Sequence, residues 1–453
     1  MISDELYRGK LMKVTILTLL IIFLSSAVFG QNSNKPETGT DTYNTYLDQH
    51  KPFTRLSTTF NGSQVVLNFS RSNWYNKKSE YDSIYKKFRI YRKAVNFVFD
   101  RDHREFFDGL ECSEKDLIYS GPSKTKSKNN FVYEDNNVVS GQTYAYWVAA
   151  DAGRLTGPVP VKVRDPNIWW SQNKITEKLK SLGKTYPELV NIEIIGKSVE
   201  GRDIYAIKVG KAKKKLALIG AIHASESGPE LIIYAIEDLL QNHKSIFDKV
   251  TIVAVPCMNV DEREKAVMGI PWYLRRNTAS VDMNRNFPGD WEEISYKYGT
   301  STAELGSGTY RGASPASEPE TKAVVSFIQK NKPDVVLSYH HLASITGRCL
   351  WAASAASKDE VYKQKCKKIY DAYTEGYCKG YADENPQENY LKYATTPGSI
   401  PVWCYKNLGI PGFDVERHTG IEKSLSDETD VSLLSRNQKQ HASALLSLMD
   451  SMK

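Results

Sequence analysis

The sequence predicts an all-β segment followed by an α/β domain, and two textures in the chain carry that expectation. Between about residues 52 and 164, the short aromatic or β-branched runs "SQVVLNF", "KFRIYRK", "DLIYSG", "NFVYED" and "TYAYWVAA" are separated by turn residues. From "VRDPNIWWSQ" onward, strand-like runs alternate with longer helical ones. The length agrees, since 453 residues exceed one ordinary domain and suit two or three. With 41% hydrophobic and 25% charged residues, the chain has the composition of a globular protein with a sizeable core.

Residues 14–29, "VTILTLLIIFLSSAVF", carry no charge and follow Lys10 and Lys13. With the small residues Ser25, Ser26, Ala27 and Gly30 at its end, this run reads as a secretory signal peptide over 1–30. Met12 is an alternative start, and an uncleaved anchor is the alternative reading. Residues 31–51 are polar and read as a flexible leader. No comparable apolar stretch follows, so a secreted or periplasmic chain free of the membrane is expected. In "TYAYWVAA", Tyr144, Tyr146 and Val148 alternate with Ala145 and Trp147, as in a strand with one buried face.

In the second half "KLALIGAI" reads as a buried strand, and "GPELIIYAIEDLLQNH" as a helix. Pro229 falls in that helix's first turn, and Ile232, Ile236 and Leu240 form its stripe. His223 and Glu226 of "GAIHASESGPE" therefore sit at a strand's C-terminal end, where open α/β sheets place their sites. "KVTIVAVPCMN" and "PDVVLSYHH" are further buried-strand candidates ending in polar residues. The net charge of +7, from 60 basic against 53 acidic residues, is spread thinly. Runs such as Lys211 to Lys215 read as solvated turns and give no nucleic-acid footprint. Six cysteines show no C-x-x-C spacing; an exported chain permits disulfides, and their pairing stays open.

His-x-x-Glu is common by chance and becomes half of a metal site only with a third ligand. In "VVLSYHH", Val336, Ser338 and His340 share one strand face and His341 takes the other. Taken singly, each candidate has an ordinary reading. A histidine at a strand end is hydrogen-bonded, Asp282 is a turn or N-cap residue, and Glu416 is a solvated strand end.

Taken together, residues from about 172 to 450 resemble the zinc metallocarboxypeptidases of the carboxypeptidase A type. "YPELVNIEIIGKSVEGRDIYAIKVG" is similar to that family's opening segment, "IHASE" to its first metal motif and "VDMNRNFP" to its substrate-carboxylate motif. "YRGASPASEPET", "LSYHH", "YATTPGSI" and "LGIPGFDVE" follow in the family's order. The resemblance implies a mixed, mostly parallel sheet with helices on both faces, spanning 166–453. Before it, residues 52–165 resemble a fibronectin type III-like β-sandwich through "VSGQTYAYWVAADAG". A cleavable pro-segment is the alternative there.

The resemblance further implies one Zn2+ held by His223, Glu226 and His340, with Asp282 orienting His223. Glu416 is then the general base, and Arg275 stabilises the developing oxyanion, with Arg276 left open as its rival. Asn284 and Arg285 would bind the substrate's free C-terminal carboxylate, Tyr393 would close over it, and Ile400 would line the side-chain pocket. Ser225 and Ser227 replace the Arg and Trp of digestive members, Leu342 replaces a Tyr, and one residue is inserted around Pro401-Val402. The expected protein is an exported carboxypeptidase acting on peptides or proteins and releasing apolar or aromatic residues. A same-fold amidase for cell-wall peptides and an inactive adhesion protein are the alternatives.

Overall fold

The computed structural model describes residues 53–72, 79–97, 104–122, 124–127, 129–150, 155–293, 301–340, 348–380, 389–416 and 431–452. The expected signal peptide and leader, together with His341 and Leu342, lie outside them. The N-terminal strands are β1 (Phe53–Phe60), β2 (Val65–Arg71), β3 (Lys87–Val95), β4 (Leu117–Pro122), β5 (Thr125–Ser127), β6 (Asn130–Asp135), β7 (Thr143–Ala150) and β8 (Thr156–Lys162). They pair as two antiparallel sheets, β1-β2-β6-β5 and β4-β3-β7-β8.

Period-two patterning builds the core between these sheets. Val65, Leu67 and Phe69 of β2 are buried and their neighbours are half-exposed. They meet Phe53, Phe88, Phe131 and Tyr146, with the Phe53 and Phe69 rings edge-on at 4.9 Å. At the start of β7, the Val139 N–H donates to the Tyr144 hydroxyl oxygen at 3.1 Å, closing the turn before the strand. One expectation is corrected here, because β7 buries all its residues and not one face alone. Ala145, Trp147 and Ala149 on its other face are covered by Tyr91, Val95 and Phe107.

The second unit contains β9 (Val190–Lys197), β10 (Asp203–Val209), β11 (Lys214–Ile219), β12 (Val250–Val255), β13 (Val335–His340), β14 (Arg348–Ala353), β15 (Asn389–Thr395) and β16 (Gly412–Glu416). Its helices are α1 (Gln172–Thr185), α2 (Gly228–Asn242), α3 (Val260–Val267), α4 (Pro319–Asn331), α5 (Glu360–Lys379), α6 (Ile400–Trp403) and α7 (Val431–Ser451). The sheet runs β15-β14-β16-β13-β11-β12-β10-β9. The pairs β11/β12, β11/β13, β13/β16 and β14/β15 are parallel, and the other three are antiparallel. This is the mixed, mostly parallel sheet that the sequence predicts. β12, β13 and β16 bury every residue, as strands covered on both faces must.

Local chemistry sets the helix ends. The Ser171 hydroxyl accepts from the Lys174 N–H and starts α1, whose Ile175, Leu179 and Leu182 face the core. Pro229 opens α2, where its missing N–H costs nothing. Helices α5 and α7 touch through Gly376, where a Cβ would stand 2.4 Å from the Ser443 carbonyl oxygen. The cysteines Cys112, Cys257, Cys366, Cys378 and Cys404 are free thiols. No helix among the described residues is long and apolar enough to cross a membrane.

The junction between β11 and α2 is tightly packed at the sheet's C-terminal edge. A Cβ on Gly228 would lie 2.7 Å from both the Ala221 nitrogen and the Gly220 Cα. One on Gly220 would lie 2.3 Å from the Pro256 carbonyl oxygen. Gly228→Ala should therefore lower stability by about 1–3 kcal/mol through overpacking, read as a shifted urea midpoint at unchanged slope. An unchanged midpoint would show that the junction has slack.

Candidate metal centre

Adjacent parallel strands β11, β13 and β16 end on one edge of the sheet, and each delivers part of the site. The loop after β11 carries His223 and Glu226, β13 ends on His340, and β16 ends on Glu416. His340 and Glu416 are register partners, and Ser338 pairs with Asp414. Alternation then puts Ser338, His340, Asp414 and Glu416 on one face.

The Glu226 carboxylate lies between two imidazoles. Its Oε1 is 3.0 Å from His223 Nδ1, and its Oε2 is 3.1 Å from His340 Nδ1. One ligand atom from each of the three residues lies within 4.8 Å of the others, and all three side chains are buried. Two imidazole nitrogens and one carboxylate are a donor set suited to zinc. Each histidine is held from behind. His223 Nε2 is 3.2 Å from Asp282 Oδ1, while His340 Nε2 is 2.9 Å from the Ser338 hydroxyl and 3.3 Å from Asp414 Oδ1. Those contacts turn both Nδ1 atoms toward Glu226, which fits a shared cation.

The electrostatics of the site fit as well. Burial would raise Glu226, but the charges of His223 and His340 hold it well below the usual carboxylate range. Burial disfavours a charged His340, yet Asp414 and Glu226 push it well above its ordinary value. A proton on His340 thus stands where a metal would displace it. Burial pushes Glu416 up to about 7, with His340 pulling the other way. Its Oε2 is buried without a hydrogen-bond partner among the described residues. An orphaned carboxylate oxygen beside a metal group is suited to proton transfer.

The arginines separate cleanly. Arg275 Nε donates to Asp282 Oδ2 at 2.8 Å, and its Nη2 lies 2.7 Å from the same oxygen. Arg276 turns away and donates to the Gly306 and Ser307 carbonyls. Asp282 is fully buried; burial would raise it, but Arg275 and Arg285 hold it far below its usual range. It also caps the short turn Met283–Arg285 by accepting from the Asn284 N–H.

Arg285 is buried beside Asn284, and its Nη1 donates to the Asn284 carbonyl. Asn284 Nδ2 donates to Asp414 Oδ2 at 3.0 Å, and its Oδ1 accepts from the Ile400 N–H at 3.2 Å. Ile400 is fully buried in the first turn of α6. Past α6 the chain enters a wider π-type turn, Cys404–Leu408, which takes up more residues per turn than α geometry. Tyr393 pairs with Ala352 across β14/β15, and its hydroxyl donates to the Lys363 carbonyl on α5 at 3.3 Å.

Several residues enter the site that sequence reasoning passed over. The Tyr273 hydroxyl donates to Glu226 Oε1. Asp414 stands behind His340, and the two-residue spacing in "GFDVE" was the available signal. Asn286 Nδ2 donates to Arg311 O, Ser314 O and the Ser317 hydroxyl, tying "VDMNRNFP" to "YRGASPASEPET". Ser225, where digestive relatives carry an arginine, accepts from the Leu274 N–H at 2.9 Å. Removing any of the His223, Glu226 or His340 side chains should abolish stoichiometric zinc. Asp414→Asn should weaken zinc about 10–100-fold, measured by competition with a chelator. Unchanged affinity would leave orientation of His340 to Ser338 alone.

The family model described as zinc carboxypeptidase matches residues 175–436. Carboxypeptidase O of Homo sapiens is 28% identical over 201 residues, which is 40% of this chain and 52% of that protein. Carboxypeptidase B of Rattus norvegicus is 27% identical over 234 residues, 48% of this chain and 53% of that one. This chain thus spans about half the length of these relatives. Among solved structures, carboxypeptidase A from Helicoverpa armigera has a TM-score of 0.55 at 16% identity, covering 82% of this chain and 98% of that one. Bovine thrombin-activatable fibrinolysis inhibitor has a TM-score of 0.52 at 19% identity, covering 63% and 98%. At such identities the structures speak to the fold alone. With the family match running across the strand ends that gather His223, Glu226, His340 and Glu416, the chain belongs to the zinc carboxypeptidase family.

Proposed function

We propose that this protein is an exported carboxypeptidase that removes single residues from the C-termini of peptides or proteins. The observation that carries this reading is the orphaned Glu416 carboxylate beside the His223–Glu226–His340 group. Zinc held by that group supplies Lewis acidity for the scissile carbonyl and the attacking water. Glu416 takes the proton from that water and returns it to the leaving amine. Arg275, kept charged and aimed by Asp282, stabilises the oxyanion as the carbonyl is attacked. The planar fork of Arg285 binds the substrate's terminal carboxylate, with Asn284 beside it fixing the turn.

The terminal side chain meets Ile400 in this reading. Asp414 is already engaged by Asn284 and His340, so it offers no free charge to a basic residue. Burying a Lys or Arg head group against an apolar floor costs several kcal/mol. The preferred substrates therefore end in apolar or aromatic residues. Export rests on the apolar run 14–29 behind Lys10 and Lys13. A fibronectin type III-like assignment of the N-terminal unit is supported by its strand order and by the Tyr144 corner.

Glu416→Gln should lower kcat about 10²–10⁴-fold while zinc content and substrate binding persist. Because the carboxylate is the working form, kcat/KM should fall on the acid side as Glu416 takes up a proton. That limb should vanish from the variant's residual activity. Arg285→Ala should weaken free-acid peptides and leave amidated ones little changed; equal losses on both would remove Arg285 from the clamp.

Substrates ending in Phe should exceed those ending in Arg in kcat/KM by about tenfold or more, and Ile400→Asp should reverse the order. A wild-type preference for Arg would show that another residue lines the pocket.

A further inference from the structure

We propose that the N-terminal β-sandwich is a positioning element of the catalytic site, acting through Arg164. The proposal builds on the reading of Arg275 given above. The sandwich grips the segment between α3 and the site at several points. The Phe60 N–H of β1 donates to the Met268 carbonyl, and the Lys162 N–H of β8 donates to the Gly269 carbonyl, both at 2.7 Å. Arg164, just past β8 and fully buried, sends Nη1 to the Ala266 carbonyl at 2.7 Å and the Ile270 carbonyl at 2.5 Å. The last carbonyls of a helix lack partners within it, and a cation there is favourable. The sandwich supplies both to α3. Gly269 has φ +107°, and a Cβ there would stand 2.5 Å from Val161 Cγ2. Only glycine lets the two units close to this distance.

From Ile270 the chain runs directly to Tyr273 and Arg275. Leu274 ties this run to the metal loop, because its carbonyl accepts from the Ala224 N–H and its N–H donates to Ser225 Oγ, each at 2.9 Å. Ala224, Ala266 and Leu274 pack together with Ile270 and Trp272 against them. A second path runs through Trp169, whose ring has the Arg164 guanidinium at 4.7 Å and the Arg263 guanidinium at 4.9 Å. Arg263 in turn donates to the Ala224 and Glu226 carbonyls at 3.0 Å. The sandwich therefore fixes one end of the segment bearing Tyr273 and Arg275, and the metal loop fixes the other. Arg164 touches no reacting group; it is a positioning residue.

The test uses the full, zinc-loaded chain with Arg164→Met, which keeps bulk but removes the donors, and Arg164→Lys, which restores one donor. Tyr119→Phe, on β4 at the opposite edge of that sheet from β8, is the control. Amide hydrogen exchange and steady-state kinetics are both measured. For Arg164→Met, exchange over 268–276 and 222–227 should rise about tenfold while strand 216–219 stays protected. Its kcat should fall about ten- to a hundredfold with little change in KM, since a misplaced oxyanion group is felt in the transition state. Arg164→Lys should be intermediate in both, and Tyr119→Phe unchanged. Unaltered exchange in both segments, or wild-type kcat per bound zinc, would overturn the proposal. If Arg164→Met fails to fold, Arg164→Lys decides on the same readouts. If the wild type cleaves no peptide, the carboxypeptidase reading falls and the exchange result alone decides this one.

Discussion

The centre of this protein is a charge-balance constraint. Four buried carboxylates (Glu226, Asp282, Asp414 and Glu416) share one edge of the sheet with the guanidiniums of Arg275 and Arg285. Four carboxyl groups against two guanidiniums leave acidic groups in excess, which suits a bound dication. Burying unpaired charge is costly, so a metal ion at the centre or a proton on His340 would offset that excess. The high affinity of His340 for its proton and the depressed value of Glu226 are two sides of that requirement. The same arrangement leaves Glu416 with a free oxygen, which suits a proton carrier and would be wasteful in a structural residue.

Holding that charge cluster in place requires a second buried pair. Arg263 and Glu230 are both fully buried and bonded to each other. Arg263 also donates to the carbonyls of Trp170, Ala224 and Glu226, while Glu230 accepts from the Trp170 N–H. The pair therefore joins α3, α2, the start of the second unit and the metal loop. A buried pair is weak evidence for stability in itself, but it specifies one geometry where apolar packing would tolerate several. The loop it holds is an irregular connection, and the precision of His223 and Glu226 depends on such side-chain contacts to its carbonyls.

The sheet was legible because it follows rules of parity and burial, whereas the ligand set came from the resemblance to the family's motifs in order. His223, His340 and Glu416 each end or follow a buried apolar run, and alternation along "VVLSYHH" picks His340 as the neighbour of Ser338. Asp414 obeys the same parity as Glu416. Tyr273 and Asn286 sit in irregular backbone, where no period tells which way a side chain points. The expected one-sided burial of β7 failed because its cover, Phe107, comes from a separate turn. For Tyr393, which the resemblance has closing over a bound residue, the motif "YATTPGSI" does not tell its neighbours. Its pairing with Ala352 and its bond to Lys363 depend on β14 and α5, which that motif does not contain.

The most direct test of the account is the zinc content of the purified full chain, coupled to mass-spectrometric sequencing of products from a mixed peptide pool. The account predicts one zinc per chain and ladders shortened one residue at a time from free C-termini, both lost together on chelation. A chain that retains no zinc, or one that cleaves internal bonds and leaves C-termini intact, would contradict it.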